Sequence, residues 1–208
     1  MMTTASEFDA KARTWDEDPA KLERARRVGA AIATAVPDLA HRSVLEYGAG
    51  TGLLGLVLQP LVARVTLADS SREMLAVAEE KIAASGVRNV TTAFLDLIAG
   101  APPGDRYDLV CTLLTLHHIP DTDAILKAFH DLLAPGGILC VSDLDAEEGA
   151  FHGKGFAGHN GFDRADLARR LGRAGFAGIR VSTVHEMRKD TGMGPRSYSL
   201  FLAVAERR

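Results

Sequence analysis

The chain has 208 residues, 47% of them hydrophobic, which fits one domain with an ordinary core and leaves little room for a second. Its 24 basic and 27 acidic side chains give a formal net charge of −3 and gather into no long basic run, so nucleic acid is not an expected partner. Cys111 and Cys140 stand alone in apolar runs and read as buried thiols suited to a reducing compartment, offering neither a disulfide framework nor a zinc knuckle.

The opening MMTTASEFDAKARTWDED lacks a signal peptide's basic region and apolar core, and no stretch approaches 18 continuous apolar residues. The expectation is a cytoplasmic protein with no membrane contact. The first 20 residues are polar, with Phe8 and Trp15 embedded in them. KLERARRVGAAIATAV then reads as a helix with Leu22, Val28, Ile32 and Val36 near one face, stopped by Pro37. Five apolar runs follow, at 43–47, 64–69, 90–95, 107–113 and 136–143, each short enough for a strand. Helical patterns separate them: GLLGLVLQ, SREMLAVAEEKIAAS up to Gly86, and TDAILKAFHDLLA up to Pro135 and Gly136. Strands apolar on both sides and alternating with helices predict a parallel sheet covered on two faces.

The tail breaks this alternation. A helix over FDRADLARRLGRAG, with Asp163 as N-cap, precedes IRVSTVHEMR and RSYSLFLAVAER. Only a loop with Gly192, Gly194 and Pro195 parts these last two runs, so they are expected to pair antiparallel. Arg188 and Lys189 are assigned to that solvated loop rather than to an anion site.

The strongest local signal is Val44-Leu45-Glu46-Tyr47-Gly48-Ala49-Gly50-Thr51-Gly52, a strand feeding a glycine turn and then a helix. Glycines there permit unusual backbone angles and let a ligand reach main-chain N–H groups that a Cβ would block, and the helix N-terminus attracts polar or anionic groups. Asp69 ends the second strand 17 residues beyond Gly52. In a crossover unit that carboxylate lies beside the turn, where it can accept from both hydroxyls of a ribose. An adenosine-containing ligand fits both features.

A nicotinamide or flavin dinucleotide is the rival, because Gly50-Thr51-Gly52-Leu53-Leu54-Gly55 matches GxGxxG. Register counts against it: Gly48 occupies the place directly after the strand, and counting from there the sixth position is Leu53. Glu46, an acid in an apolar strand, would also repel a pyrophosphate, whereas it can meet an ammonium or a water network.

With these residues in place the sequence resembles the class I S-adenosylmethionine-dependent methyltransferases, in particular the small-molecule group that includes the quinone-biosynthesis type, over roughly residues 8–205. The resemblance implies a Rossmann-like α/β doubly wound sheet of seven strands, mostly parallel with an antiparallel last strand. It implies a helical cap over 1–37 and an S-adenosylmethionine-binding region over 38–208, together one structural domain. By the same resemblance, the turn at Gly48, Gly50 and Gly52 holds the methionine portion, Glu46 helps to orient the site, and Asp69 holds the ribose. Ser70 and Met74 lie along the adenine, Asp96 accepts from its exocyclic amine, and the Leu97 N–H meets a ring nitrogen. YDLVCTLLTLHHIPD and LLAPGGILCVSD are similar to the family's fourth-strand and fifth-strand segments.

The expected reaction is methyl transfer to a small-molecule acceptor; a nicotinamide-dependent oxidoreductase or a non-catalytic donor-binding module are the alternatives. Displacement at a sulfonium needs alignment, exclusion of water and sometimes a base, so a missing catalytic dyad is no objection. His117 and His118 follow the fourth strand at its carboxyl end, where ligands sit in open α/β sheets. His117 is the candidate base, against the plainer reading that one ring packs the turn and the other is solvated. No metal is expected, since His117, His118 and Asp121 lack further ligands. The loop AEEGAFHGKGFAGHNGFD carries five glycines and two histidines and reads either as a lid or as a tight crossing. Glu147, His152 and His159 within it, with His118, are candidate acceptor contacts. Trp15 either closes over the sulfonium or merely anchors the N-terminal segment.

Overall fold

The structure, a computed structural model, describes residues 4–100, 102–153, 155–190 and 194–208, with side chains from residue 7 onward. Seven strands form one sheet: β1 (Ser43–Tyr47), β2 (Arg64–Asp69), β3 (Val90–Phe94), β4 (Tyr107–Leu113), β5 (Leu133–Leu144), β6 (Phe176–Asp190) and β7 (Pro195–Arg207). Their spatial order is β3-β2-β1-β4-β5-β7-β6. The pairs among the first five are parallel, and β7 runs antiparallel to both β5 and β6. The doubly wound sheet with an inverted last strand is therefore present as the sequence implied.

Alternation along the central strands sends neighbouring residues to opposite faces. Val44, Leu109 and Cys140 face α2 (Pro19–Ala35) and α3 (Leu53–Leu58), meeting Val28, Ile32, Leu54 and Leu58. Leu45, Val110, Leu139 and Val141 face the other way, onto Ile125 and Phe129 of α5 (Thr122–Leu132) and Leu167 and Leu171 of α6 (Arg164–Arg173). All five residues of β1 are buried, as expected of a strand covered on both faces. Cys111 and Cys140 sit opposite each other across β4 and β5, both free and fully buried. Burial pushes the Cys140 thiol up to about 12 and raises Cys111 as well, so neither is a ready nucleophile.

Helix ends follow the local chemistry. Ser71 caps α4 (Arg72–Ser85) by accepting from Met74 N–H, and Gly86 closes it in the left-handed region at φ 69°. Asp163 caps α6 as expected, its side chain accepting from Asp166 N–H. Three details differ from the sequence reading. α5 stops at Leu132 because Leu133 is already extended and pairs with Tyr107, and the residue before Pro135 resists the helical conformation. Arg188 and Lys189 lie within β6, opposite Ser197 and Arg196, not in the connecting loop. Gly192 of that loop lies outside the described residues.

The third difference, from the residue pattern though not from the helical cap that the resemblance implied, is α1 (Thr4–Lys11) followed by a 3-10 helix over Ala12–Glu17 in the polar segment. Contacts with the rest of the domain order it: Asp9 accepts from Ser71 Oγ at 2.5 Å, Arg13 pairs with Glu80, and Asp16 with Lys81. Among the described residues no helix is long and apolar enough to cross a membrane.

Candidate active site

Strand order reverses between β1 and β4, and the crevice outside their carboxyl ends is where an open α/β sheet binds ligands. A cavity of about 930 Å³ opens there, lined at one end by the glycine turn and at the other by His117, His118 and His152.

The glycine turn leaves β1 with Gly48 at φ 70° and Gly50 at φ 55°, both in the left-handed region. A Cβ on Gly48 would lie 2.3 Å from Thr115 Cγ2, so the turn packs directly on the loop after β4. A Cβ on Gly50 would meet nothing nearer than 3.8 Å, its closest neighbours being Met74 Sδ and Trp15 Nε1. Gly48 is thus fixed by packing, while Gly50 faces open cavity beneath Trp15. Gly52, also left-handed, is the residue from which α3 starts.

Two carboxylates brace this turn. Glu46 Oε2 accepts from Gly55 N–H at 2.7 Å inside the first turn of α3. Burial drives the Glu46 carboxyl up to about 8, against the pull of that N–H. Asp69 accepts from Gly50 N–H at 2.7 Å with one oxygen and from Ser71 N–H at 2.8 Å with the other. Its pKa is raised by burial and held back by those same amides. Glu46, Gly48, Gly50, Asp69, Ser70, Met74 and Trp15 line the cavity; Gly52, also expected there, does not, and packs against Leu67 instead.

The adenine-edge pair behaves differently. Asp96 Oδ1 accepts from Ile98 and Ala99 N–H at 2.9 and 3.1 Å, and Leu97 N–H donates to Tyr47 Oη at 3.2 Å. Neither residue lines the cavity; the neighbouring Ile98 does, and it is 64% exposed.

Trp15 is positioned by residues the sequence reading overlooked. Thr51 Oγ1 donates to Asp16 Oδ1 at 2.6 Å, while Lys81 Nζ bridges Asp16 Oδ2 at 2.6 Å and the Thr51 carbonyl at 2.8 Å. Lys21 lies 3.7 Å from the centre of the Trp15 ring and donates to its carbonyl at 2.8 Å. Thr51 next to a glycine turn was visible in the sequence, but nothing marked Asp16 as its partner.

At the acceptor end Leu114 takes φ 53°, a strained conformation for a branched side chain, directly after β4. His117 follows in a short 3-10 turn, Leu116–His118, and is buried. Its backbone N–H donates to Asp143 Oδ2 at 3.1 Å, and its ring Nδ1 stands 2.6 Å from Asp143 Oδ1. A carboxylate accepts only, so Nδ1 carries a proton, and in the neutral tautomer the lone pair is then on Nε2. His152 Nε2 lies 3.0 Å from that nitrogen, close enough to share a hydrogen bond whose direction the tautomers set. Phe156 stacks on the His152 ring at 3.8 Å, and Phe8 meets the His118 ring edge-on at 5.2 Å. Burial and the neighbouring imidazoles push His118 down to about 3 and His152 to about 4, so both are neutral near pH 7.

The other loop candidates have structural partners. His159 Nε2 lies within 3.2 Å of Thr122 Oγ1, the Ile119 carbonyl and the Pro120 carbonyl, and the His159 backbone N–H donates to the His117 carbonyl at 2.8 Å. Glu147 Oε2 accepts from Ala150 and Phe151 N–H at 2.7 and 3.1 Å. Neither side chain lines the cavity; they shape the loop that delivers His152. Asp121 caps α5 through Ala124 N–H and takes no part in the cavity. Lys189, though exposed, donates to the Phe151 carbonyl at 2.5 Å and stands over its ring, tying the loop to β6. Asp143 was missed because a single acid in an apolar strand end carries no motif of its own.

The family model described as "Methyltransferase domain" matches residues 20–181, and the chain belongs to that methyltransferase family. Within it, the sheet order and the glycine turn are those of a class I S-adenosylmethionine-dependent methyltransferase. It is 35% identical over 142 residues to a ubiquinone biosynthesis O-methyltransferase of Xanthomonas euvesicatoria pv. vesicatoria, an alignment covering 67% of this chain and 59% of the relative. The chain spans about three fifths of the length of the curated relatives it matches. Among solved structures, the YcgJ protein from Bacillus subtilis aligns with TM-score 0.72 at 16% identity, over 87% of this chain and 98% of its own. A Haemonchus contortus phosphoethanolamine N-methyltransferase 2 in complex with S-adenosylhomocysteine aligns with TM-score 0.71 at 17% identity, over 86% of this chain and 52% of its own. Those two likenesses establish the fold.

Proposed function

We propose that this chain transfers the methyl group of S-adenosylmethionine to a small-molecule acceptor held against the histidines at the far end of the cavity. The observation that carries this reading is the continuity of one cavity from the Gly50 cradle to His117. Bound there, the donor supplies a methyl group on a sulfonium with a good leaving group. Gly48 to Gly52 and Glu46 hold its methionine portion, and Asp69 keeps lone pairs for the ribose while bracing Gly50. The adenine end falls to Ser70, Met74 and Ile98. Trp15, latched through Asp16, closes over the donor and keeps water from the reacting methyl.

On the acceptor side His117 is the base, its Nε2 lone pair oriented by Asp143 toward His152 and the cavity. A hydroxyl acceptor fits this arrangement, because its proton must leave as the methyl arrives. Residues 1–37 act as the cap and 38–208 as the donor-binding part of one domain. A cytoplasmic setting suits the two free thiols, and the absence of a long basic run speaks for a small molecule over nucleic acid.

The test combines calorimetry with a methyl-transfer screen. The wild-type chain should bind S-adenosylmethionine and S-adenosylhomocysteine at micromolar concentration, ignore NAD, and methylate at least one phenolic, carboxylic or amine acceptor from a labelled donor. Asp69→Asn should weaken both donor ligands by tenfold or more, as about 1.4 kcal/mol of lost hydrogen bonding requires. NAD binding would replace this reading with the oxidoreductase; donor binding without turnover on any acceptor would reduce the chain to a binding module.

A further inference from the structure

His117, His118 and His152 bring one ring nitrogen each to within 4.8 Å of the others, on the wall of the acceptor half. Nitrogens bound to one tetrahedral zinc ion at about 2.0–2.1 Å stand about 3.3 Å apart, and the His117–His152 pair is already at 3.0 Å. His118 needs only a side-chain adjustment to join them. Its ring lies 4.2 Å from that of His117, tilted by 39°.

The surroundings are those of a metal ligand set rather than of a chance histidine cluster. Asp143, fully buried, holds His117 Nδ1 at 2.6 Å, which fixes both the tautomer and the plane of the ring and leaves Nε2 as the lone pair. This carboxylate–histidine pair is the usual support of a metal-bound imidazole. Asp143 is itself secured by Leu144 N–H at 2.7 Å and His117 N–H at 3.1 Å, so it cannot swing into the ligand set. Phe156 stacked on His152 orients the third ring. The sequence reading of no metal rested on His117, His118 and Asp121 lacking another ligand; Asp121 is occupied as a helix cap, and the missing ligand is His152, delivered by the loop after β5.

We infer that His117, His118 and His152 form a three-nitrogen site for a divalent transition cation, zinc foremost, with its fourth position open to the acceptor cavity. An all-imidazole set suits zinc, and after it copper, nickel or iron, and disfavours magnesium and calcium. The open position makes it a Lewis-acid site able to take an oxygen of an acceptor. That use rests on the methyl-transfer reading, whereas cation binding itself does not. In the loaded chain His117 Nε2 is a ligand and no longer a base, so the cation takes over the polarisation of the acceptor.

The experiment uses tag-free, chelator-treated protein titrated with zinc chloride alone and followed by calorimetry, with cobalt(II) absorption as the readout of geometry. One equivalent should bind at micromolar concentration or tighter, and cobalt should give the visible bands of a tetrahedral site. His152→Ala, on the loop, should weaken zinc by 100-fold or more, and Asp143→Asn by about 10–100-fold through the lost ring support. Asp121→Asn should leave zinc affinity unchanged. S-adenosylhomocysteine titrated into each variant reports whether the donor half is folded, independently of the metal. Absence of saturable binding at one equivalent would overturn the site, as would zinc binding that survives His152→Ala in a variant that still binds S-adenosylhomocysteine. Failure of methyl transfer with intact zinc binding would instead count against the function proposed above.

Discussion

The two ends of the cavity are held by different kinds of bond. At the glycine-turn end, main-chain N–H groups of Gly50, Gly55 and Ser71 are tied to two carboxylates on adjacent strands, Glu46 buried and Asp69 half-buried, so its shape rests on the backbone. At the acceptor end the lining is side chains: His117 and His118 from a 3-10 turn, His152 from a long glycine-containing loop, Phe8 from the first helix. A backbone site depends on the path of the chain and so tolerates almost no substitution within it. A side-chain site can be altered one residue at a time while the fold stands.

Gly48→Ala should show the first half of that contrast most strongly. It combines a non-glycine residue at φ 70° with a Cβ driven to 2.3 Å from Thr115. The expected cost is about 3 kcal/mol of stability, with donor binding lost, from strain of about 1–3 kcal/mol plus overpacking of similar size. Thermal unfolding and S-adenosylhomocysteine calorimetry check it; a variant with wild-type melting temperature and affinity would show that the turn yields more than a backbone site should.

Asp143→Asn tests the other half. It preserves volume but cannot hold His117 Nδ1–H in the same way, so turnover should fall by about 10²-fold or more, the range of a lost base or its support. Donor affinity should stay within about twofold, because Asp143 touches none of the donor-lining groups. Equal losses of donor affinity and turnover would mean that the two ends are not separable.

Glu46 belongs to the donor end but responds to pH. Its carboxyl at about 8 in the folded chain, against about 4.5 when exposed, means that the folded state holds the extra proton between those values. Stability from this group is therefore greatest below pH 4.5 and declines as pH rises toward 8. Binding of a cationic donor favours the ionised form, so at pH 7 it should release up to about one proton, measurable by calorimetry in buffers of different ionisation enthalpy. Glu46→Gln should abolish that release and flatten the stability profile between pH 5 and 8. Release unchanged in the variant would assign the proton elsewhere.

The same contrast explains what could be read from the sequence. The glycine-turn end of the cavity was legible because a path of the backbone leaves compositional traces: glycines where φ must be positive, and an acid at the end of the next strand. The parallel strands and the antiparallel pairing of the last two runs followed from the apolar runs and from Gly194 and Pro195 between them, and the seven-stranded arrangement from the resemblance. The acceptor end left fewer traces. His117 and His118 were noticed as a pair, but their link to Asp143 and His152 joins three separate chain segments, and no local pattern reports such a meeting. Glu147 and His159 looked like binding groups because they are polar and lie in a glycine-rich loop; they serve the loop's own backbone instead. The helical order of residues 4–17 was implied only by the resemblance, as part of the cap, and not by the polar composition of the segment, since partners such as Ser71, Glu80 and Lys81 impose it from outside.

That imposed order suggests the mildest perturbation, at the latch between the cap and the glycine turn. Asp16 is only partly shielded, 35% exposed against 28% for Lys81, so the ion pair itself contributes little. The Thr51 hydroxyl donating to Asp16 at 2.6 Å is the more specific tie, because Thr51 is buried and lies inside the turn that carries Gly50. Asp16→Ala should cost about 1 kcal/mol or less in overall stability, yet loosen Trp15 over the donor and weaken S-adenosylmethionine by about three- to fivefold. Arg13→Ala removes an exposed pair with Glu80 on the same segment and should change neither quantity measurably. Trp15 fluorescence in the presence and absence of donor separates the two: a donor-dependent change retained in Arg13→Ala and diminished in Asp16→Ala places the latch at Thr51. Identical behaviour of both variants would mean that the cap is held by its apolar contacts, Phe8 and Trp15 among them, and that the polar ties only decorate it.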